Sequence, residues 1–347
     1  MIFNFKGAVY DRTALKWLFG WALVFVASIG QAVCGEESQG NSNSQEDSVS
    51  ASVVNPDAAW EIAPGITIIP DPRIDFVPNI GIIEGERAVL VVDTGLGPEN
   101  GRRILKFAQR IAGGRELILT TTHFHPEHNF GAQAFRNDAR LVWNAAQETE
   151  LAEKGPLYLE LFRKFGPAVA EALKSTAISS AEETYERRRR LDLGGREVVL
   201  EEMPAHTRGD QVVYIPDADV LFAGDLVETR FFPILPDTDA SARAWIEVLE
   251  ELAERDPSIV VPGHGAVGDA GLINALLVHL RFMQERVRAY MEQGESQEAV
   301  TDRMIPAMER LYPHWDNEEF LPFEIGILYA EITGESARLP PLDPEKQ

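Results

Sequence analysis

The sequence predicts an α/β protein, and two observations carry the prediction. Short, continuous apolar runs rich in β-branched residues have the form of strands covered on both faces. These runs alternate with longer helical stretches, which implies sheets flanked by helices. The 347 residues are 45% hydrophobic and 25% charged, a globular composition with ample length for a large core.

Taken in order, strands are expected at residues 66–69, 79–83, 88–92, 117–121 and 139–143. Pro98 suits the first turn of a helix that Gly113-Gly114 would end. A second helical stretch, from about Ala145 toward Lys174, is expected to break near Gly155-Pro156 and Gly166-Pro167. Strands resume at 197–203, 211–215 and 220–223, and Pro216-Asp217-Ala218-Asp219 makes the last two a hairpin. A helix at about 240–255, a strand at 259–261 and a helical tail from about Gly271 to Glu335 complete the chain. Four consecutive arginines, Arg187 to Arg190, follow Glu182, Glu183 and Glu186, and read as a solvated, partly self-neutralised face.

Domain organisation follows from composition. Lys6, Arg12 and Lys16 precede an uncharged apolar run from Trp17 to Val33, the layout of a secretory leader over residues 1–34. Residues 35–52 are polar and read as a disordered linker. Residues 53–270 are expected to form the main folded domain and 271–347 a helical extension. Export to the periplasm or medium is expected, with a lipid anchor on Cys34, the sole cysteine, as the alternative. No stable membrane insertion is expected once the leader is removed. The formal net charge of -23 opposes nucleic-acid binding, which needs a basic stripe. The expected partner is a small-molecule substrate; the sequence sets no oligomeric state.

Five of the seven histidines fall in three short stretches: His123, His125 and His128, then His206, then His264. In extended chain, His123 and His125 point the same way while Phe124 faces the core. Pro126 holds His125 extended and starts a turn that brings Glu127 and His128 round to a second point nearby. Imidazoles and a carboxylate so placed can nucleate two adjacent metal sites. His279, inside the apolar run Leu276-Leu277-Val278, reads as a packed helix residue, and His314 has no partner motif.

His123-Phe124-His125-Pro126-Glu127-His128 after an apolar strand resembles the signature of the metallo-β-lactamase superfamily. Further motifs follow the same order: Val91-Val92-Asp93-Thr94-Gly95, Ala205-His206-Thr207-Arg208-Gly209-Asp210, Ala223-Gly224-Asp225 and Pro262-Gly263-His264-Gly265. The resemblance implies a four-layer αββα sandwich with metals at the edge where strand-end loops converge. Carried over, His123, His125 and His206 would hold a first metal and Glu127, His128 and His264 a second, with Asp225 bridging. Asp93 would hydrogen-bond the loop that presents the histidines, and Asp210 would cap its own loop. Glu127 departs from the family pattern, where aspartate is usual.

Two zinc ions per chain are expected from the resemblance, with iron or manganese as alternatives. Such a pair, about 3.5–4 Å apart, lowers the pKa of a shared water toward about 7. The implied activity is a metal-dependent hydrolase that uses a metal-bound hydroxide on an ester, thioester, lactone or amide. Glu127 and Asp225 would be the catalytic carboxylates. The alternatives are a mononuclear iron dioxygenase of the same frame and a true β-lactamase, the latter disfavoured by Asp225 where cysteine is usual. The loop 226–236, with Arg230, Phe231 and Phe232, the helices near Tyr158 to Phe165, and the tail around His314-Trp315 are candidate cleft walls. An apolar wall with one cationic anchor would suit a carboxylate-bearing apolar substrate.

Overall fold

A computed structural model describes residues 52–341. The expected leader, Cys34 and the linker up to residue 51 lie outside the described residues. Ser52, placed in the linker by composition, is already packed: its carbonyl accepts from Asn100 Nδ2 at 2.7 Å. Among the described residues no helix is long and apolar enough to cross a membrane.

Strands β1 (Trp60–Ala63), β2 (Ile66–Ile69), β3 (Ile80–Glu84), β4 (Ala88–Val92), β5 (Glu116–Thr120), β6 (Arg140–Asn144) and β7 (Glu183–Tyr185) form one sheet in that order. A second, five-stranded sheet runs β12-β11-β10-β9-β8. Its members are β8 (Arg188–Asp192), β9 (Glu197–Glu202), β10 (Gln211–Ile215), β11 (Val220–Gly224) and β12 (Ile259–Pro262). Helices α1 (Gly97–Ala112), α2 (Pro126–Asn129), α3 (Ala145–Phe162) and α4 (Pro167–Ala172) belong to the first half of the chain. Then come α5 (Ala242–Arg255), α6 (Gly271–Glu292), α7 (Gln297–Leu311) and α8 (Leu321–Thr333).

The layering follows from side-chain alternation along the strands. In β4, Val89 and Val91 pack with Ile104 and Ala108 of α1, while Leu90 and Val92 join Val213 and Phe222 of the second sheet. In β11 the neighbours of Phe222, Leu221 and Ala223, turn the other way, toward Trp245 of α5 and Leu280 of α6. Each fully buried side chain of this kind contributes about 1.5–3 kcal/mol. A one-residue slip would exchange two apolar cores, so register is tightly set. The result is helix, sheet, sheet, helix: an αββα sandwich with α6 to α8 as a C-terminal helical extension.

Several elements differ from the sequence expectation. Helix α3 runs unbroken through Pro156. Leu151 before the proline and Tyr158 and Phe162 after it are buried in the same core, and at about 1.5–3 kcal/mol each they outweigh the ~3 kcal/mol cost of an interior proline. The second expected break is present, with Gly166 at φ 111°. The helical tail is present as three helices, and Ser296 caps α7 by accepting from Ala299 N at 3.3 Å. Strands β1, β7 and β8 were not anticipated, because none carries a continuous apolar run. In β8 only Leu191 is buried. The arginines of β8 lie on the edge of the second sheet, where Arg189 meets Glu183 at 2.6 Å and Arg190 meets Glu197 at 2.9 Å. Charges on an edge strand discourage pairing with another chain.

The extension is locked down by one buried polar pair. His279 of α6, fully buried, has its Nε2 3.1 Å from both carboxylate oxygens of Glu324 in α8. Tyr312 and Trp315 pack on the imidazole, each with ring centroids 5.2 Å away. Glu324→Ala should therefore lower the unfolding free energy by about 3 kcal/mol, because it leaves a buried imidazole nitrogen without a partner. Glu324→Gln should recover most of that loss. Urea unfolding of the two variants and the parent measures the difference.

Candidate metal centre

All seven residues singled out above sit at the C-terminal ends of strands or in the loops that follow them. Ligand sites in α/β sheets favour that edge. Strand β5 leads into Thr121-Thr122-His123, and His125, at φ -58° and ψ 150°, is the extended residue that Pro126 requires before α2 turns. That single turn carries Glu127 and His128. The β9–β10 loop supplies His206, the end of β11 supplies Asp225, and the end of β12 supplies His264.

Two groups of four donors result: His123, His125, His206 and Asp225, and then Glu127, His128, Asp225 and His264. The donor atoms of each group lie within 4.8 Å of one another. Asp225 belongs to both and divides its oxygens between them. Oδ2 is 3.6 Å from His123 Nε2 and 3.8 Å from His206 Nε2, while Oδ1 is 3.3 Å from His128 Nε2 and 3.9 Å from His264 Nε2. The 3.1 Å between His125 Nδ1 and His206 Nε2 is close to the ~3.3 Å edge of a tetrahedron with zinc–nitrogen bonds of about 2.0–2.1 Å.

The hydrogen bonds behind the ligand atoms fix which ring nitrogen is free. Thr122 Oγ1 donates to Asp93 Oδ2 at 3.0 Å, so its 3.2 Å contact with His123 Nδ1 requires the imidazole to donate. His128 Nδ1 donates to Asp93 Oδ2 at 3.0 Å, and His206 Nδ1 donates to the Ile234 carbonyl at 2.7 Å. Each Nε2 is thereby left as an acceptor facing the cluster, the arrangement by which outer carboxylates and carbonyls orient metal-binding histidines. Asp93 also accepts from Thr122 N at 2.7 Å. It adopts the left-handed conformation, φ 67°, unusual for a non-glycine residue and stored here at the site. Asp210 caps its own loop, accepting from Thr207 N at 2.8 Å and Ala205 N at 3.1 Å.

Five buried atoms of the cluster have no hydrogen-bond partner: His123 Nε2, His125 Nε2, Glu127 Oε2, His128 Nε2 and Asp225 Oδ1. The 3.3 Å approach of His128 to Asp225 is not aligned as a hydrogen bond. An orphaned buried polar atom costs about 1–3 kcal/mol, so five of them rival the whole stability of a domain, about 5–15 kcal/mol. Cations meeting His123 Nε2, Glu127 Oε2, His128 Nε2 and Asp225 Oδ1, with His125 binding through Nδ1, remove most of that cost, and the nitrogen and oxygen donors suit divalent ions. The residues therefore fit a divalent-metal centre.

Electrostatics divide the cluster. Burial, reinforced by His128, holds the His123 pKa well below its ordinary value, and burial with His206 does the same for His125; both favour the neutral form that binds metals. For His128 burial opposes the charge, but Asp225 and Asp93 overcome it and raise its pKa well above ordinary. Burial likewise opposes ionisation of Asp225, yet His128, His264 and His123 hold its carboxyl well below the usual range. Glu127 goes the other way, raised by burial and by Asp225. The two carboxyl groups of the cluster thus have their pKa values pushed in opposite directions.

Glycine makes the close packing possible. A Cβ on Gly263 would lie 1.9 Å from Asp225 Oδ1, so no other residue leaves room for that carboxylate. Sequence reasoning missed Asp71, whose Oδ2 is 3.7 Å from His264 Nδ1 and accepts from Gly265 N at 2.8 Å. It also missed Asn79, which donates to the carbonyls of Pro262 and Gly265 at 2.9 Å each. Glu228, buried and with an unpartnered Oε1, was missed as well; burial and Asp225 raise its pKa well above ordinary. Nothing in their sequence contexts marks these three.

Along the cleft, Tyr158, Phe162, Phe165 and Phe231 line the wall as expected. Phe232 does not; it is buried against Trp315, at 5.4 Å between centroids. Arg230 and His314 are not lining residues, and the cleft's cation is Arg73.

A sandwich of this topology with two histidine–carboxylate groups at its strand ends is the architecture that the sequence resemblance implied. The profile of the Metallo-beta-lactamase superfamily matches residues 73–264. The chain belongs to that superfamily. It is 25% identical over 218 residues to a linear primary-alkylsulfatase of a Pseudomonas species, a match covering 53% of this chain and 40% of that protein. A human acyl-coenzyme A thioesterase is 26% identical over 215 residues, with 54% and 72% covered. The solved structure of a metallo-beta-lactamase family protein from Thermus thermophilus superposes with a TM-score of 0.59 at 18% identity, covering 79% of this chain and 95% of that one.

Asp93→Ala removes the acceptor shared by Thr122 and His128 without touching a donor atom of either group. Divalent-metal affinity should fall about 10- to 100-fold, while the far-ultraviolet circular dichroism stays that of the parent. Competition titration with a chromogenic chelator measures the affinity.

Proposed function

We propose that this protein holds two divalent ions, zinc being the candidate, and hydrolyses an ester, thioester, lactone or amide bond of a small molecule. The observation that carries the reading is the split of Asp225, with one carboxylate oxygen toward each group of donors. His123, His125 and His206 would hold the first ion, Glu127, His128 and His264 the second, and Asp225 would join them. When bound, such ions supply Lewis acidity and an activated water for attack on a carbonyl.

The chain's own residues do the rest. Asp93 and the Ile234 carbonyl hold the His128 and His206 imidazoles in fixed orientations, and Asp71 lies 3.7 Å from His264 Nδ1. Asp225, kept ionised by the surrounding histidines, offers a fixed negative charge, while Glu127, with its raised pKa and unpartnered Oε2, is suited to take up a proton. Phe124, fully buried beneath the His123–His125 pair, excludes water from below. The relatives support hydrolysis as the reaction class, since an alkylsulfatase and a thioesterase both break a bond to oxygen or sulfur with water.

Two measurements test this. Zinc-loaded protein should contain about two ions per chain by elemental analysis, and His123→Ala or His206→Ala should lose one; absence of any bound transition metal after loading would remove the proposal. Glu127→Gln keeps the shape but removes the charge and the proton acceptor, so kcat should drop about 100- to 10,000-fold, with weaker binding of the second ion. Glu127→Asp should retain activity. A glutamine variant with parental rate and two ions would make Glu127 a bystander.

A further inference from the structure

The metal-centre residues form only the floor of a cleft of about 260 Å³, near the lower end of small-molecule sites at about 300 Å³. Its walls and rim are a separate construction. One wall is aromatic: Phe76 lies 5.1 Å from Phe162 and 5.6 Å from Phe165, ring centroid to centroid, and Tyr158 stacks on His125 at 5.1 Å. Facing it are Phe231, Ile234 and Phe320.

At the rim stand Asp75, Asp316 and Glu319. They are close enough to act on one another: after burial, the charges of Glu318, Asp75 and Asp316 raise the pKa of Glu319. Deeper in, Glu228 is only 6% exposed with Oε1 unpartnered, a hydrogen-bonding group with no protein partner.

Among the described residues, the sole lysine or arginine lining the cleft is Arg73, and three of its five N–H donors are engaged by the protein. Nη1 donates to the Thr229 carbonyl at 3.0 Å, Nη2 to the Arg230 carbonyl at 3.4 Å, and Nη2 also binds the Asp316 carboxylate. The guanidinium carbon sits 4.3 Å over the Phe231 ring. Thus the lining cation that could have met an anionic substrate is clasped by the protein, while seven carboxylates line the same space.

We propose that the cleft takes substrates whose arm, remote from the scissile carbonyl, is apolar and uncharged, and turns away arms that carry a carboxylate, sulfate or phosphate. This rests on the hydrolytic reading for the reacting end, but the selection resides in residues outside the metal centre. The apolar arm lies between the aromatic wall and Phe231. A terminal anion there would meet Asp75, Asp316 and Glu319, with no free lysine or arginine in the described lining beside them.

The test uses two phenyl esters of equal length, phenyl octanoate and phenyl 7-carboxyheptanoate. Binding of each to the zinc-loaded protein, as the ketone analogue with a methylene in place of the ester oxygen, reads the cleft by calorimetry without the reaction; kcat/KM of the esters on the same protein reads both together. The methyl-ended member of each pair should bind, or be hydrolysed, at least about tenfold better, because juxtaposed like charges cost several kcal/mol. Asp316→Asn frees Arg73 and should narrow the gap at least about threefold, through KM rather than kcat. Equal binding of the two analogues, no binding of either, or an unchanged gap in Asp316→Asn would overturn the inference. If the binding preference holds but the zinc-loaded protein hydrolyses neither ester, the inference stands and the hydrolase reading fails.

Discussion

Five imidazoles and two carboxylates crowd into one buried patch, and the rest of the fold answers to the cost of that crowding. Left alone, the patch holds unpartnered acceptors at His123, His125, Glu127, His128 and Asp225. Their combined penalty is comparable to the net stability of an ordinary domain. Such a cluster persists only where the surroundings over-determine it and where cations can satisfy it. Every neighbouring feature serves one of those two ends.

The over-determination comes from the sandwich. Two sheets share an apolar core, and the strand ends on one edge are thereby fixed relative to each other. Gln211 ties the sheets together at the site, its backbone N–H donating to the Thr122 carbonyl and its side chain to the Thr121 carbonyl, both at 2.9 Å. The end of β6 and helix α3 anchor the β9–β10 loop: Asn144 donates to the Gly209 carbonyl at 2.8 Å, and Glu150 accepts from Gly209 N at 2.8 Å. Because these anchors are hydrogen bonds to backbone, they fix where His206 is presented whatever the loop's side chains are. The strained conformation of Asp93 is tolerated in this setting, since its carboxylate holds both Thr122 and His128.

The C-terminal extension is more than an added layer. Its turn at Tyr312 to Phe320 lies against the loop after Asp225, with Phe232 N donating to the Asp316 carbonyl at 2.9 Å and Asp316 N to the Arg230 carbonyl at 3.0 Å. The same turn contributes Asp316, Glu319 and Phe320 to the cleft. Burial of His279 and Glu324 between α6 and α8 holds that turn in place from behind. The floor of the cleft is therefore built by the sandwich and much of its rim by the extension, so the reacting end and the selecting end of the site have different structural origins.

The sequence by itself determined the features whose signals are local. His123, His125, Glu127 and His128 lie within six residues, and their direction follows from extended chain, a proline and one turn. Motif order along the chain then placed Asp93, His206, Asp225 and His264 at strand ends, and apolar runs located most strands of the sandwich. Only the tertiary structure decided what depends on distant contacts. The Arg73–Asp316 clasp joins residues 243 positions apart, and Asn79 reaches Gly265 across 186. No local pattern encodes such pairs. The short edge strands β7 and β8 were illegible because each buries a single side chain, Tyr185 or Leu191, and draws its stability from pairing. The course of α3 through Pro156 was decided by burial on both sides of the proline, a free energy that propensity along the chain does not contain.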